Sequence, residues 1–183
     1  GNTTGSEFQI NTYTDDDQYF PSVTGLNDGG FVVTWQSYGQ DGDGNGIFGQ
    51  RYDSSGNTTR SEFQINTYTD GCQLLSSVTS LTDGGFVVTW QSYGQDGDSY
   101  GIFGQRYDSS GNTTGSEFQI NTYTDDDQDR SSVTGLNDGG FVVTWESDGQ
   151  DGSENGIFGQ RYDSSGNTTG SEFQINTYTD DDQ

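Results

Sequence analysis

Asp41, Asp43 and Asn45 stand at alternate positions of a glycine-rich run, Asp41-Gly42-Asp43-Gly44-Asn45-Gly46. Oxygen-bearing side chains at every second residue of a tight bend fall on one side of it, and Ca²⁺ takes about six to eight such oxygens. The run reads as the opening of a calcium loop. It departs from the EF-hand pattern further on, where a glutamate would be needed at the place of Tyr52, and no helices flank it. Two more copies carry Asp96 and Asp98 followed by Tyr100, and Asp151 and Ser153 followed by Asn155. The spacing puts forward Asp41, Asp43, Asn45, Asp96, Asp98, Asp151 and Asn155 as ligands for Ca²⁺. The alternative is that Asp, Asn and Gly here simply build turns. The aspartate runs 15–17, 125–127 and 180–182 either add ligands from an adjoining loop or form solvated loops.

A second chemistry is carried by aromatic residues. Trp35, Trp90 and Trp145, with Tyr38, Tyr93 and Tyr100 nearby, have the flat faces that stack on sugar rings. The tryptophans alternate with Phe and Val, which suits core packing. The tyrosines fall in polar loops and are the more open glycan contacts, although Asp148 replaces Tyr in the third copy. Arg51, Arg106 and Arg161 recur within Gly-Gln-Arg-Tyr-Asp. A half-buried Arg needs a carboxylate, and Glu7, Glu62 or Glu117 on a neighbouring strand is the expected partner; an anion or glycan carboxylate is the alternative. Asn2, Asn57, Asn112 and Asn167 each begin Asn-Thr-Thr, an acceptor pattern for glycans in a eukaryotic secretory pathway and an ordinary turn in a bacterium.

Other chemistry has little to stand on. The chain holds no His, and all five of its cations are Arg, so His-based triads are absent. Cys72 is single, so no intramolecular disulfide forms and paired-cysteine zinc sites are excluded. Carboxylate pairs for glycoside hydrolysis remain possible among 29 acidic residues, yet near-identical repeats argue against one asymmetric active site. The chain is expected not to be an enzyme. A formal net charge of −24 repels nucleic acid and anionic lipid and favours cations. No apolar run is long enough to span a membrane.

These residues must be positioned by a repeat. Phe8, Phe63, Phe118 and Phe173 mark a period of 55, and Asn27-Asp28-Gly29-Gly30-Phe31-Val32-Val33-Thr34-Trp35 returns with it. Only 26% of residues are hydrophobic, 14% are aromatic, and Gly counts 29, a composition of strands and turns rather than helices. Within one period, residues 6–11 alternate apolar and polar and read as a strand. Residues 13–21 read as a polar loop, 22–26 as a second strand, and 27–30 as a hairpin turn in which Gly supplies positive φ. Residues 31–37 form the strongest strand. Phe31, Val33 and Trp35 fall on one face and Val32 and Thr34 on the other, so it should be covered on both sides. Residues 47–52 form a fourth strand after the glycine-rich loop.

Four short antiparallel strands per period make an all-β tandem repeat of β-meanders, the unit of a β-propeller blade. An open superhelical or fibrous array of the same units is the alternative. The divisions expected are residues 1–18 as the last strand and loop of a blade, then repeats over 19–73, 74–128 and 129–183. Three blades are fewer than the roughly four to eight of a closed ring, and an unclosed strand edge invites pairing with another chain.

The run Asp-Gly-Gly-Phe-Val-Val-Thr-Trp-Gln-Ser, then Gly-Gln-Asp-Gly, Gly-Ile-Phe-Gly-Gln-Arg-Tyr-Asp and Gly-Ser-Glu-Phe-Gln-Ile-Asn-Thr, resembles tandem repeats of very large secreted bacterial proteins. Those proteins are adhesin-like and often carry hemolysin-type calcium-binding repeats. The resemblance covers the whole chain. It implies a secreted or cell-surface setting and a structural or adhesive role, and supplies no catalytic residues. With the Asp-Gly loops and the unclosed strand edge, the function expected is a calcium-assisted array or filament whose partners are copies of the chain. The second function expected is a carbohydrate-binding propeller lectin with one site per blade, whose partners are glycans or cell-surface polymers.

Overall fold

The computed structural model describes residues 5–178, and none of them is helical. Three four-stranded antiparallel sheets follow one another along the chain. The first is β1 (Gln18–Gly25), β2 (Phe31–Tyr38), β3 (Asn45–Tyr52) and β4 (Phe63–Gln64). The second is β5 (Gln73–Ser80), β6 (Phe86–Tyr93), β7 (Tyr100–Tyr107) and β8 (Thr113–Gln119). The third is β9 (Gln128–Gly135), β10 (Phe141–Asp148), β11 (Asn155–Tyr162) and β12 (Phe173–Gln174). Each is a simple meander in chain order, as propeller-like blades require.

The hairpin that opens each sheet is fixed by its turn. Gly29 takes φ 83°, its N–H donates to Leu26 O at 3.0 Å, and Leu26 N donates to Gly30 O at 2.8 Å. The alternation expected of residues 31–37 then decides the packing. Val32, Ile47, Leu26 and Ile65 of the first sheet meet Val78, Phe86, Val88, Trp90, Phe103 and Tyr107 of the second in one core. The same faces of the second and third sheets form the next core. Each sheet therefore turns an aliphatic face forward and an aromatic face back. Neither face can be left to water, so sheets stabilise one another by stacking. Hydroxyl pairs stitch the interfaces, Thr34 with Ser76 at 2.9 Å and Thr89 with Ser131 at 3.0 Å.

Two sequence expectations are corrected. The first strand of each sheet starts earlier than residue 22 and takes in part of the expected loop. Pro21 is accommodated because β1 pairs on one side only and is bulged between Tyr19 and Ser22. Phe20, Leu75 and Arg130 occupy the equivalent bulges with φ of 53°, 52° and 53°. The bulge turns an N–H away from the ladder: Leu75 N donates to Gln36 Oε1, and Arg130 N to Gln91 Oε1, both at 3.0 Å and both across a sheet interface.

The strand expected over 6–11 is the second. The segment itself forms no ladder; its copies pair over only two residues in β4 and β12, while the copy in the second sheet is the seven-residue β8, paired with β7. The ladder stops because an asparagine side chain takes over. Ile47 N donates to Asn66 Oδ1 at 2.7 Å, and Ile102 N to Asn121 Oδ1 at 2.8 Å.

Candidate functional site

The loops bearing the candidate ligands gather at one end of the sheets. Tyr38 N donates to Asp17 O, Tyr93 N to Cys72 O and Asp148 N to Asp127 O, tying the end of each second strand to the segment that leads into the first. The loop between the second and third strands also reaches the next sheet. Asp43 Oδ2 accepts from Gly71 N at 3.0 Å, and Asp98 Oδ2 from Asp126 N at 3.1 Å.

The side chains singled out for Ca²⁺ are engaged separately. Asp41 Oδ2 lies against Gly46, where a Cβ would stand 2.3 Å away, and accepts from Asn66 Nδ2 at 3.3 Å. Asp96 does the same with Gly101 and Asn121. Asn45 accepts from the Tyr19 hydroxyl at 3.1 Å, and Asp151 accepts from Ser153 N and Gln174 Nε2. Asp41, Asp43 and Asn45 thus hold three different neighbours. The described residues gather no group of three or more acidic, histidine or cysteine side chains fit to hold a metal ion. Of the aspartate runs, 180–182 lies outside the described residues.

The arginines do not pair with Glu62 or Glu117. Arg51 Nη2 meets Asp28 Oδ2 at 2.6 Å, Arg161 meets Asp138, and Arg106 Nη2 donates to Ser164 O at 2.8 Å. Those partners lie at the turn end of the sheets, beside the hairpins. The glutamates work at the loop end. Glu62 Oε1 accepts from Gln40 Nε2 at 2.6 Å, while its Oε2 accepts from Thr12 N at 2.6 Å and from Thr12 Oγ1 at 3.0 Å. Glu117 takes Gln95 and Thr67, and Glu172 takes Gln150 and Thr122, in the same way. No local motif announces this clamp, because Glu and Thr stand 50 residues apart.

All three tryptophans are buried, Trp90 and Trp145 between sheets and Trp35 on the outer face of the first sheet beneath Ile10. They are core residues, and each indole Nε1 lacks a hydrogen-bond partner. The tyrosines divide. Tyr38 and Tyr93 are exposed at the loop end, 49% and 52%. Tyr93 and Tyr100 meet edge to face, with ring centroids 5.2 Å apart. Tyr38 lies in the first sheet, and Asp148 takes the equivalent place in the third, so the two-ring surface occurs in the second repeat. Tyr100 N donates to Asp127 Oδ1 at 3.2 Å. Burial, then the charges of Cys72, Asp127, Tyr93 and Asp129, pushes the Tyr100 phenol up, so it stays neutral. Asp129 is pushed up by burial and by Glu146, against the lowering effect of Arg130. The sequence reading missed Asp127 and Asp129 as acceptors beside the rings. Their positions were legible only as part of an acidic loop.

The carboxylates set the pH response. Burial raises Asp41 and Asp129, so the folded state holds their protons more tightly than the unfolded chain does. They oppose folding at neutral pH, and this is relieved as pH falls through their raised values. Hydrogen bonds from Asn57, Asn112 and Asn167 hold Asp53, Asp108 and Asp163 below the usual range. Their contribution favours folding above the unfolded value of about 4 and is lost as pH falls through their lowered values. Falling net charge adds to the first effect. The thermal midpoint should therefore climb as pH is lowered from 7 toward roughly 5, then drop below about 4. A midpoint that falls steadily from pH 7 would contradict this.

No family model matches the sequence, and a search of curated proteins finds no relative. Solved structures share the fold. A Hadza microbial sialidase superposes with a TM-score of 0.57 at 13% identity over 82% of this chain, which spans 36% of the sialidase's length. An endo-arabinase from Bacteroides thetaiotaomicron (TM-score 0.48, 14% identity, 71% of this chain, 51% of that one) is a looser match. So is a fucose lectin from Kordia zhangzhouensis (0.49, 12%, 87% and 99%). Neither of these two superposes closely enough to carry weight. At 13% identity the first speaks for the fold alone. The chain is thus an all-β protein of propeller-like blades in tandem.

Proposed function

We propose that the chain is a non-catalytic carbohydrate-binding module of an extracellular adhesive array, with its binding surface at the loop end of the second sheet. The observation that carries this is the Tyr93–Tyr100 pair. Two rings 5.2 Å apart offer an apolar wall to the C–H face of a sugar. Asp127 and Asp129, whose charges act on Tyr100, are acceptors for its hydroxyls. A few polar groups beside an aromatic surface are what orient a small ligand. The same acids repel an anionic sugar, so the reading is for neutral glycans.

A glycan array carrying neutral and sialylated sugars tests this. Binding is expected among the neutral glycans, with Tyr93→Ala and Tyr100→Ala each weakening it at least about tenfold, the equivalent of ~1.4 kcal/mol. Tyr38→Ala should leave it unchanged. Saturable binding that survives Tyr93→Ala would remove the site, and release of free sugar would assign turnover instead.

A further inference from the structure

We propose that copies of this chain join head to tail through the outer faces of the first and third sheets, with one of two identical outer strands shared across the junction. This goes beyond the glycan site and does not depend on it.

Residues 5–11 are placed as an outer strand whose sheet is missing among the described residues. Phe8 packs on Tyr52 at 5.6 Å and 60°, as Phe63 packs on Tyr107 at 5.7 Å and 59°. Ile10 joins the core of the first sheet, as Ile65 joins that of the second. Thr12 is clamped by Glu62 as Thr67 is by Glu117. Asn11 Nδ2 donates to Tyr13 O and Gln18 Oε1 as Asn66 does to Tyr68 O and Gln73 Oε1. One feature of the pattern is lacking. Ile65, Ile120 and Ile175 each donate N–H to an isoleucine carbonyl of a neighbouring strand at 2.8 Å, whereas Ile10 has no strand paired to it among the described residues.

The third sheet has the opposite deficit. Its aliphatic face carries Leu136, Val142, Ile157 and Ile175, copies of residues buried at both internal interfaces. Here none is fully buried, and Ile175 is 47% exposed. On the first sheet Val23 is 64% exposed, against 7% for Val78 and 8% for Val133.

The two internal interfaces say what each face takes. An arginine of one sheet lies over the turn of the next: Arg60 Nη1 donates to Gly111 O, and Arg106 to Ser164 O beside Gly166. Gly56, in the same turn of the first sheet, has nothing within 4 Å of its Cβ position. The third sheet's Arg161 is exposed and pairs with Asp138 of its own sheet. An open recess beside Phe8, Phe31 and Ser54 faces outward on the first sheet, and another beside Leu136, Val142 and Arg161 on the third. Each is the counterpart of the other. The occupant is a second copy of this chain.

The junction has one place for an outer strand and two claimants, since residues 1–18 and 166–183 are identical in sequence. Either fills it with the same contacts, so one is released. Such a contact is heterologous and closes into a ring or grows into a filament. Two copies supply six sheets, within the roughly four to eight of closed propellers.

Sedimentation velocity of the full chain between about 1 μM and 1 mM, the range of ordinary specific association, reads this directly. High salt should be present, because it screens the repulsion between two acidic copies. Dimers or longer species are expected, and a monomer throughout would overturn the proposal. Val142→Asp, on the uncovered face, should return the chain to monomer with its melting curve retained; unchanged association would overturn the use of this face. Ile10→Pro or Ile175→Pro alone should leave association, since the other strand serves. The double variant, which has no donor for the shared place, should weaken it at least tenfold. Undiminished association of the folded double variant would overturn strand sharing.

Discussion

Trp90→Ala should destabilise the chain by roughly 3–5 kcal/mol, a large part of the ~5–15 kcal/mol that holds an ordinary domain together. Trp90 is among the largest fully buried side chains, enclosed between the first and second sheets with Val32, Ile47, Val88 and Phe103. Truncation removes the ring from a space walled by two backbones that cannot close on it, so a cavity remains and its lining loses contacts. Trp35→Ala provides the comparison. Trp35 is of the same type at the same place in the repeat, but lines an open cleft with Ile10, Tyr19 and Pro21 instead of a sheet-to-sheet core. Water and side chains can enter there, so a smaller loss is expected. Urea unfolding of both variants decides. Equal losses would show that contact between sheets is not what makes the second tryptophan costly to remove. Trp90→Phe should lie well below Trp90→Ala, because it keeps most of the ring and deletes a buried N–H that has no partner.

What the sequence made legible follows from periodicity. Alternation in Phe31, Val32, Val33, Thr34 and Trp35 implied a strand covered on both faces, and a strand of that kind in tandem copies implies stacked sheets. The hairpin turn was legible for the same local reason. Hidden instead were contacts between residues far apart in the chain. Glu62 and Thr12 meet because one sheet's outer edge lies beside the segment that precedes it, and neither residue carries a local sign of the other. The bulge at Phe20, Leu75 and Arg130 was equally invisible, since three dissimilar side chains occupy it, and at Leu75 and Arg130 its backbone N–H reaches the previous sheet's glutamine. At the candidate site, Tyr93 and Tyr100 were legible as loop aromatics. Their meeting was not, because it depends on the register of β6 against β7, where Tyr93 stands opposite Tyr100. The spacing of Asp41, Asp43 and Asn45 suggested convergence on an ion; the hydrogen bonds it did not show run to Asn66 and Tyr19 of the same sheet and, for Asp43, to Gly71 at the start of the next.

Gly85→Ala should be as damaging as a core truncation, for a reason that has nothing to do with flexibility. The turn contains two adjacent glycines doing different jobs. Gly84 takes φ 87°, which only glycine adopts without strain. Gly85 has no such φ, yet a Cβ placed on it would stand 2.2 Å from Tyr107 O and 3.1 Å from Asp83 Oδ1. The first of these is backbone, and it belongs to the residue that pairs with Phe86 at the open end of β6 and β7, away from the 94–99 loop. Tyr107 cannot retreat, because its ring is stacked on Phe86 at 4.6 Å and 10° and is buried between sheets. Relief requires opening the hairpin, at a cost of about 3 kcal/mol or more, at the upper end of ordinary overpacking. Gly30 and Gly140 meet Tyr52 O and Tyr162 O at the same 2.2 Å, so the requirement belongs to the repeat rather than to one copy. Gly25, at the end of β1, has nothing within 4 Å of its Cβ position and no positive φ, so Gly25→Ala should be neutral or stabilise by up to ~1 kcal/mol. Thermal unfolding of the two variants side by side checks this, and a Gly85→Ala chain that melts with Gly25→Ala would mean that the hairpin is looser than the approach of Tyr107 O to Gly85 implies.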